Sequence, residues 1–205
     1  MSTRHMSART LGIAGHPMVL RELSSLDMNA VLGLHQQVFG SSAAANWYAW
    51  KYQLGKGEAV GLWDGANLIA HCAGMPRTFW HQGIARQDLQ IGDVMVAPQW
   101  RGILTRQGPF FHTSHALYTS RLGLDRPYAV GFGFPNSRHL RLAVKSGLSW
   151  DAGHLQELRW NTLEKPNTCG IFWRVDQITA DSAQFDREID AAWQHMQKQA
   201  SAWSI

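Results

Sequence analysis

Apolar positions along the chain change their period several times, and each change marks an element. The run "MVLREL" at 18–23 reads as a first strand. Behind it Ala30, Val31, Leu34 and Val38 recur at helical spacing, with Asp27 at the cap position and Gly40 where a helix stops. The stretch "AANWYAWKYQLGKG" predicts a second, short helix ended by glycine. Residues 58–79 predict two strands around the turn Asp64-Gly65-Ala66-Asn67. A further strand covers "ARQDLQIGDVMVAP", and a helix is expected to open at about Ile103. "PYAVGFGFP" reads as a strand with Gly131 and Gly133 interleaved, and "NSRHLRLAVKSG" as a helix ended by Gly147. One or two last strands are expected in "LSWDAGHLQELRW". Residues 1–17 are polar and read as a flexible arm. Residues 161–182 change character and include Pro166, and from about Ser182 the pattern is helical again. Strands precede and alternate with helices, so the expected fold is α/β with a mixed sheet.

Composition narrows this picture. With 205 residues, 45% of them hydrophobic, the chain suits one domain of ordinary size with an appendage. A net charge of +4 with ten histidines suits an anionic ligand. Lys and Arg are scattered, however, and form no basic stripe of the kind nucleic acid requires. Cys72 and Cys169 make neither a disulfide framework nor a metal spacing, so a reducing, cytoplasmic setting is expected and no metal. No apolar run approaches ~18 residues, and no membrane span is expected. The first residues lack the apolar core of a signal peptide.

The candidate chemistry lies in "VMVAPQWRGILTRQGPFF", residues 94–111. A strand that turns directly into a helix leaves backbone N–H groups pointing outward, and the helix dipole adds partial positive charge there. Gly102 permits close approach of a ligand, and Arg101 and Arg106 add full charges. The stretch reads either as a phosphate site or as a plain βα connection with solvated arginines. Helix-end interactions contribute roughly 0.3–2 kcal/mol each. A micromolar ligand needs about 8 kcal/mol. The turn alone therefore cannot hold a phosphorylated cofactor, and the preceding strand would have to pair with an extended ligand arm.

These residues resemble the GNAT superfamily of acyl-CoA-dependent N-acyltransferases. Its pyrophosphate loop reads Q/R-x-x-G-x-G/A. Gln99-Trp100-Arg101-Gly102-Ile103-Leu104 matches at the first and fourth positions and departs at Leu104. "GDVMVAPQWRG" resembles the family's central fourth strand. "PNSRHLRLAVKSGL" resembles its N-x-x-A-x-x-L-Y-x-x-x-G-F helix, with Asn136, Leu142 and Gly147 matching and His139, Ala143 and Leu148 departing. The resemblance covers residues 18–160 and leaves 161–205 as a C-terminal extension with a helix. It implies a mostly antiparallel mixed sheet whose central strands splay at a bulge, flanked by helices. It also implies acetyl-CoA or another acyl-CoA as cofactor, and transfer of the acyl group to an amine. Met95 and Val96 would bond the pantetheine arm. Arg101, Gly102, Ile103, Leu104 and Thr105 would carry the pyrophosphate, and Asn136 would hold the arm from the other side.

Transfer to an amine needs a base, an oxyanion donor and a proton for the departing thiolate. Asp93, just before the pantetheine positions, is the candidate base, or else a structural carboxylate. The family often uses a tyrosine acid where this chain has Ala143, so a non-catalytic CoA-binding or interaction lobe stays open beside the enzyme. Tyr118 and Tyr128 qualify as acids only if they reach the cleft. His71 reads as a packed, hydrogen-bonded histidine, Cys72 as packing, and His112 and His115 as lying near the surface. Trp47, Tyr48, Trp50 and Tyr52 form either a buried helix face or an aromatic wall for a small-molecule amine or amino sugar. In residues 183–205, Phe185, Ile189, Trp193, Met196 and Ala200 make one helical stripe. It resembles the linker helix of tandem GNAT proteins, which implies packing against a second GNAT-like lobe or a second copy of the chain; the other reading is a helix folded back on the chain's own sheet.

Overall fold

The computed structural model describes residues 6–81, 84–101, 108–157, 183–199 and 203–204. The chain divides into two compact units, one reaching to Phe79 and taking in Ile84–Asp151, the other built on Trp80–Gly83 and Ala152–Ser204.

The first unit opens on a hairpin where the flexible arm was expected. Strands β1 (Arg9–Ile13) and β2 (His16–Glu22) pair antiparallel, with Ile13 opposite His16. Ala14 and Gly15 both have positive φ, 51° and 83°, which is the two-residue turn that matches strand twist. Ile13, Met18 and Leu20 alternate into the core. Ser24 then accepts from the Leu26 N–H and closes a capping box with Asp27. Asp27 therefore spends its carboxylate on the Ser24 N–H and on Arg21, not on the helix that follows. That helix, α1 (Met28–Phe39), buries Val31 and Leu34 and stops at left-handed Gly40. The aromatic stretch splits into a short α2 (Ala45–Tyr48) and one wider turn of π-helix, Ala49–Leu54.

Strands β3 (Glu58–Asp64), β4 (Asn67–His81) and β5 (Ile84–Val96) follow as expected. The next helix, α3 (Pro109–Arg121), begins later than the expected Ile103. Proline sits at its first position, where no N–H is needed, behind an extended Gly108. β6 is only Gly131–Phe132 and runs parallel to β5, and α4 is Ser137–Lys145. The sheet order is β1-β2-β3-β4-β5-β6; β1 to β4 pair antiparallel in turn, and β5 and β6 run parallel. Of the last strands expected in 148–160, the described residues 148–157 hold none.

The sheet is covered on both faces. Ala116 and Leu117 of α3 pack with Leu20, Leu62 and Leu89 in one buried cluster. Val31 and Leu34 of α1 and Tyr48 of α2 pack with Trp63, Met95 and Ala97 in another. Alternation along β3, with Leu62 and Trp63 in different clusters, is what a strand buried on both faces requires.

In the second unit, α5 (Ala183–Gln199) leaves Ile189 and Met196 exposed and Trp193 half-buried. Ala200, the end of the expected stripe, lies outside the described residues. β7 (Trp203–Ser204) pairs antiparallel with Trp80 and His81. No described helix is long and apolar enough to cross a membrane.

Candidate active site

The site is built around the end of β6. Leu89 and Gln90 of β5 pair with Gly131 and Phe132, and there β6 ends. β5 continues from Ile91 to Val96 with no strand on that side among the described residues. Gly133 explains how close the two chains come before they part. A Cβ there would meet the Ile91 carbonyl oxygen at 3.0 Å, so a side chain would push the strands apart earlier.

The parting coincides with a kink in β5. Asp93 has φ +50°, a left-handed conformation that costs a non-glycine residue roughly 1–2 kcal/mol. Three neighbours hold it. The buried His71 places Nδ1 2.6 Å from the Asp93 carbonyl oxygen. The Lys51 ammonium lies 2.8 Å from both carboxylate oxygens, and the Tyr52 hydroxyl donates to one of them over 2.6 Å. A carbonyl can only accept, so His71 Nδ1 carries the proton and Nε2 a lone pair. That Nε2 is buried without a partner among the described residues. Burial lowers the His71 pKa and keeps the ring neutral, although the bond to Asp93 pulls the other way. Burial, then the Asp93 charge, raises the Tyr52 pKa strongly, so its phenol remains a donor. Lys51 also lies over the Trp47 ring, 4.6 Å from its centroid.

A cavity of about 100 Å³ opens beside Asp93, over β4 and β5. Lys51, Tyr52, Gly92 and Asp93 line one part of it, and Gly74 and Met75 of β4 another. A positive and a negative side chain, a phenol and a kinked strand thus meet at one opening.

Asp93 lies within β5, and its carboxylate is already engaged by Lys51 and Tyr52. Met95 is buried, and Val96 ends β5 with its carbonyl accepting from Arg101 Nε over 2.8 Å. Arg101 is exposed, and Gly102, Ile103, Leu104 and Thr105 lie outside the described residues. Asn136 caps α4, its Oδ1 accepting from the His139 N–H at 2.9 Å, which leaves the amide nitrogen as its donor. His71 is the packed, bonded histidine expected. Cys72 is fully buried, its thiol pushed up to about 12 by desolvation. Ala143 is buried and supplies no acid. Burial raises the Tyr118 pKa. Tyr128 donates to Glu58 over 2.7 Å. The aromatic segment divides: Tyr48 is core, Trp50 is exposed, and Trp47 and Tyr52 surround Lys51. Lys51 is the participant that sequence reasoning missed. Its signal was its isolation, as the only charge between Trp47 and Gln53.

The fork suits an extended arm that carries amides. β5 beyond Gln90 offers backbone groups with no strand opposite among the described residues, and Gly92 leaves room beside them. A three-layer α/β domain with such a fork defines an acyltransferase-like class of fold. Residues 19–107 match the model of a family described as an acetyltransferase (GNAT) domain. The GNAT resemblance carried by the motifs is thereby borne out for this part of the chain.

Solved structures agree on the fold. A Trypanosoma brucei acetyltransferase is 15% identical, with TM-score 0.50, covering 71% of this chain and 99% of its own. A putative acetyltransferase from Agrobacterium tumefaciens is 14% identical, with TM-score 0.52, covering 68% and 99%. AAC(6')-Iy, solved with a CoA-S-monomethyl-acetylneamine bisubstrate analogue, is 12% identical, with TM-score 0.53, covering 71% and 99%. At such identities the likeness is one of fold. No curated protein matches the sequence significantly.

Proposed function

We propose that the chain is an acyl-CoA-dependent N-acyltransferase of the cytoplasm. Its donor is acetyl-CoA or another acyl-CoA, and its acceptor is an amine of a small molecule or amino sugar. The observation that carries this reading is the fork: β5 runs on past β6, and Asp93 is held at the parting beside a cavity. Bound there, the cofactor supplies an activated thioester.

The chain's own residues do the rest. The β5 backbone at Met95 and Val96 pairs with the arm, as an added strand would. Arg101 and the backbone of 102–105 receive the pyrophosphate, and the Asn136 amide nitrogen donates to the arm. Asp93 takes the proton that the acceptor amine must lose, and Tyr52 holds its carboxylate in place. The rival reading, a CoA-binding lobe without turnover, is favoured by the buried Ala143 at the position of the family's acid.

Heating the protein with and without acetyl-CoA tests the cofactor. A hundredfold excess over Kd should stabilise it by about 2.7 kcal/mol. Gly102→Asp places a charge and a side chain in the proposed phosphate seat and should abolish that gain. Equal stabilisation of parent and variant would put the site elsewhere. Turnover with a panel of amines then separates enzyme from binder.

A further inference from the structure

We propose that Lys51 is an acylation site of this protein, modified at Nζ by the acyl-CoA of the fork; the inference rests on the preceding functional reading. Lys51 is an amine already in place beside the candidate base. Its Nζ lies 2.8 Å from each oxygen of Asp93, and the residue lines the cavity over β4 and β5 beside the kink. Only 16% of the side chain is exposed, so it is withdrawn from bulk water. The backbone beneath it is clamped. The Gly57 N–H donates to the Lys51 carbonyl over 3.0 Å, and a Cβ on either Gly55 or Gly57 would stand 2.7 Å from that oxygen. The Trp47 ring closes one side of the ammonium. These contacts aim one primary amine at one cavity, whereas Lys56 and Lys145 are exposed.

The step balances without another reactant. The ammonium passes one proton to Asp93 across the existing hydrogen bond. Nζ then forms the bond to the acyl carbon as the acyl C–S bond breaks. The new amide nitrogen gives up a second proton to the solvent, and the departing sulfur collects the one held by Asp93 and leaves as a thiol. The product amide is neutral, so the charge that offsets Asp93 disappears.

The test is peptide mass spectrometry of the intact chain after incubation with acetyl-CoA, read as the rate of acetyl gain at each lysine. Lys51 should gain acetyl at least about tenfold faster than Lys56 or Lys145, since a positioned base contributes ~10²-fold or more. Asp93→Asn should remove that excess. In wild-type protein unfolded in urea, Lys51 and Lys56 should react alike, which gives the same contrast without relying on the variant's folding. A Lys51 rate at or below that of Lys56 in the folded chain would overturn the proposal, as would an excess that persists in urea. Thermal stabilisation by acetyl-CoA, measured on the same samples, tells the two failures apart. Stabilisation without Lys51 acetylation sinks this inference alone. The absence of both sinks the functional reading with it.

Discussion

Two ion-pair clusters in the first unit use nearly the same side chains for different ends. In one, Arg121 of α3 bonds Glu22 of β2 and Glu58 of β3, and Tyr128 donates to Glu58. In the other, Lys51 bonds Asp93, and Tyr52 donates to it. Burial does not separate them: Arg121 is 7% exposed and its carboxylates 19% and 23%, against 16% and 18% for Lys51 and Asp93. The backbone does. Glu22 and Glu58 sit on regular strands in register, whereas Asp93 sits at a left-handed kink beside a cavity. The first cluster ties a helix to two strands. The second holds a strained residue in place.

The comparison breaks most readily at Arg121. Arg121→Met should lower stability by about 3–5 kcal/mol, because it removes the buried guanidinium that Glu22 and Glu58 share. Chemical denaturation measures it, and a loss under about 1 kcal/mol would show that the cluster is not a tie. Burial alone would lower the Arg121 pKa, but Glu58 and Glu22 outweigh it and the net shift is upward. This cation therefore stays charged at any working pH.

Asp93→Asn should cost less stability, roughly 1–3 kcal/mol, because it strips Lys51 of its carboxylate but leaves His71 on the backbone carbonyl. Its larger effect should be on turnover with whichever amine is accepted, a fall of about 10²-fold or more. Unchanged turnover would remove Asp93 as the base.

The smallest effect is a pH slope shared by two buried histidines, His71 in the second cluster and His139 on α4, since burial lowers both. Burial lowers the His71 pKa below its ordinary 6.5. Between the two values the unfolded chain binds the extra proton, so stability rises with pH there. The His71 contribution is full above about pH 6.5 and falls as the solution is acidified, by at most about 1.4 kcal/mol per pH unit. Denaturation midpoints at a series of pH values should show that slope in the parent and a smaller one in His71→Asn, His139 supplying the rest. A slope of the same size in the variant would assign it to other groups.

How much of this was legible differs by range of interaction. α1, α4 and the pair β3 and β4 followed from local period, and Gly40, Gly147 and Asn136 do what their residue types suggest. The β1–β2 hairpin was hidden because its turn is Ala14-Gly15, where only one of two left-handed positions carries glycine. The segment "PYAVGFGFP" has strand-forming residues along its length, yet only Gly131 and Phe132 form a strand: Tyr128 bridges Leu122 instead, and the Val130 N–H goes to the Asp88 side chain. Asp93 stood out through its place in the motif. Its partners did not, because Lys51 and Tyr52 are 42 and 41 residues away and the sequence offers no register between a π-turn and a strand. Arg121 meets Glu22 across 99 residues, which no local pattern encodes.

The unpaired stretch of β5 has another side. A strand edge with free N–H and C=O groups is a template on which a foreign chain can add itself, the usual first step toward aggregation. Natural sheets guard such edges with bulges and charges, and Asp93 supplies both: its left-handed backbone breaks the register an intruding strand would need, and Lys51 keeps a charge pair beside it. The kink beside the cavity thus also makes the same edge a poorer template for an added strand.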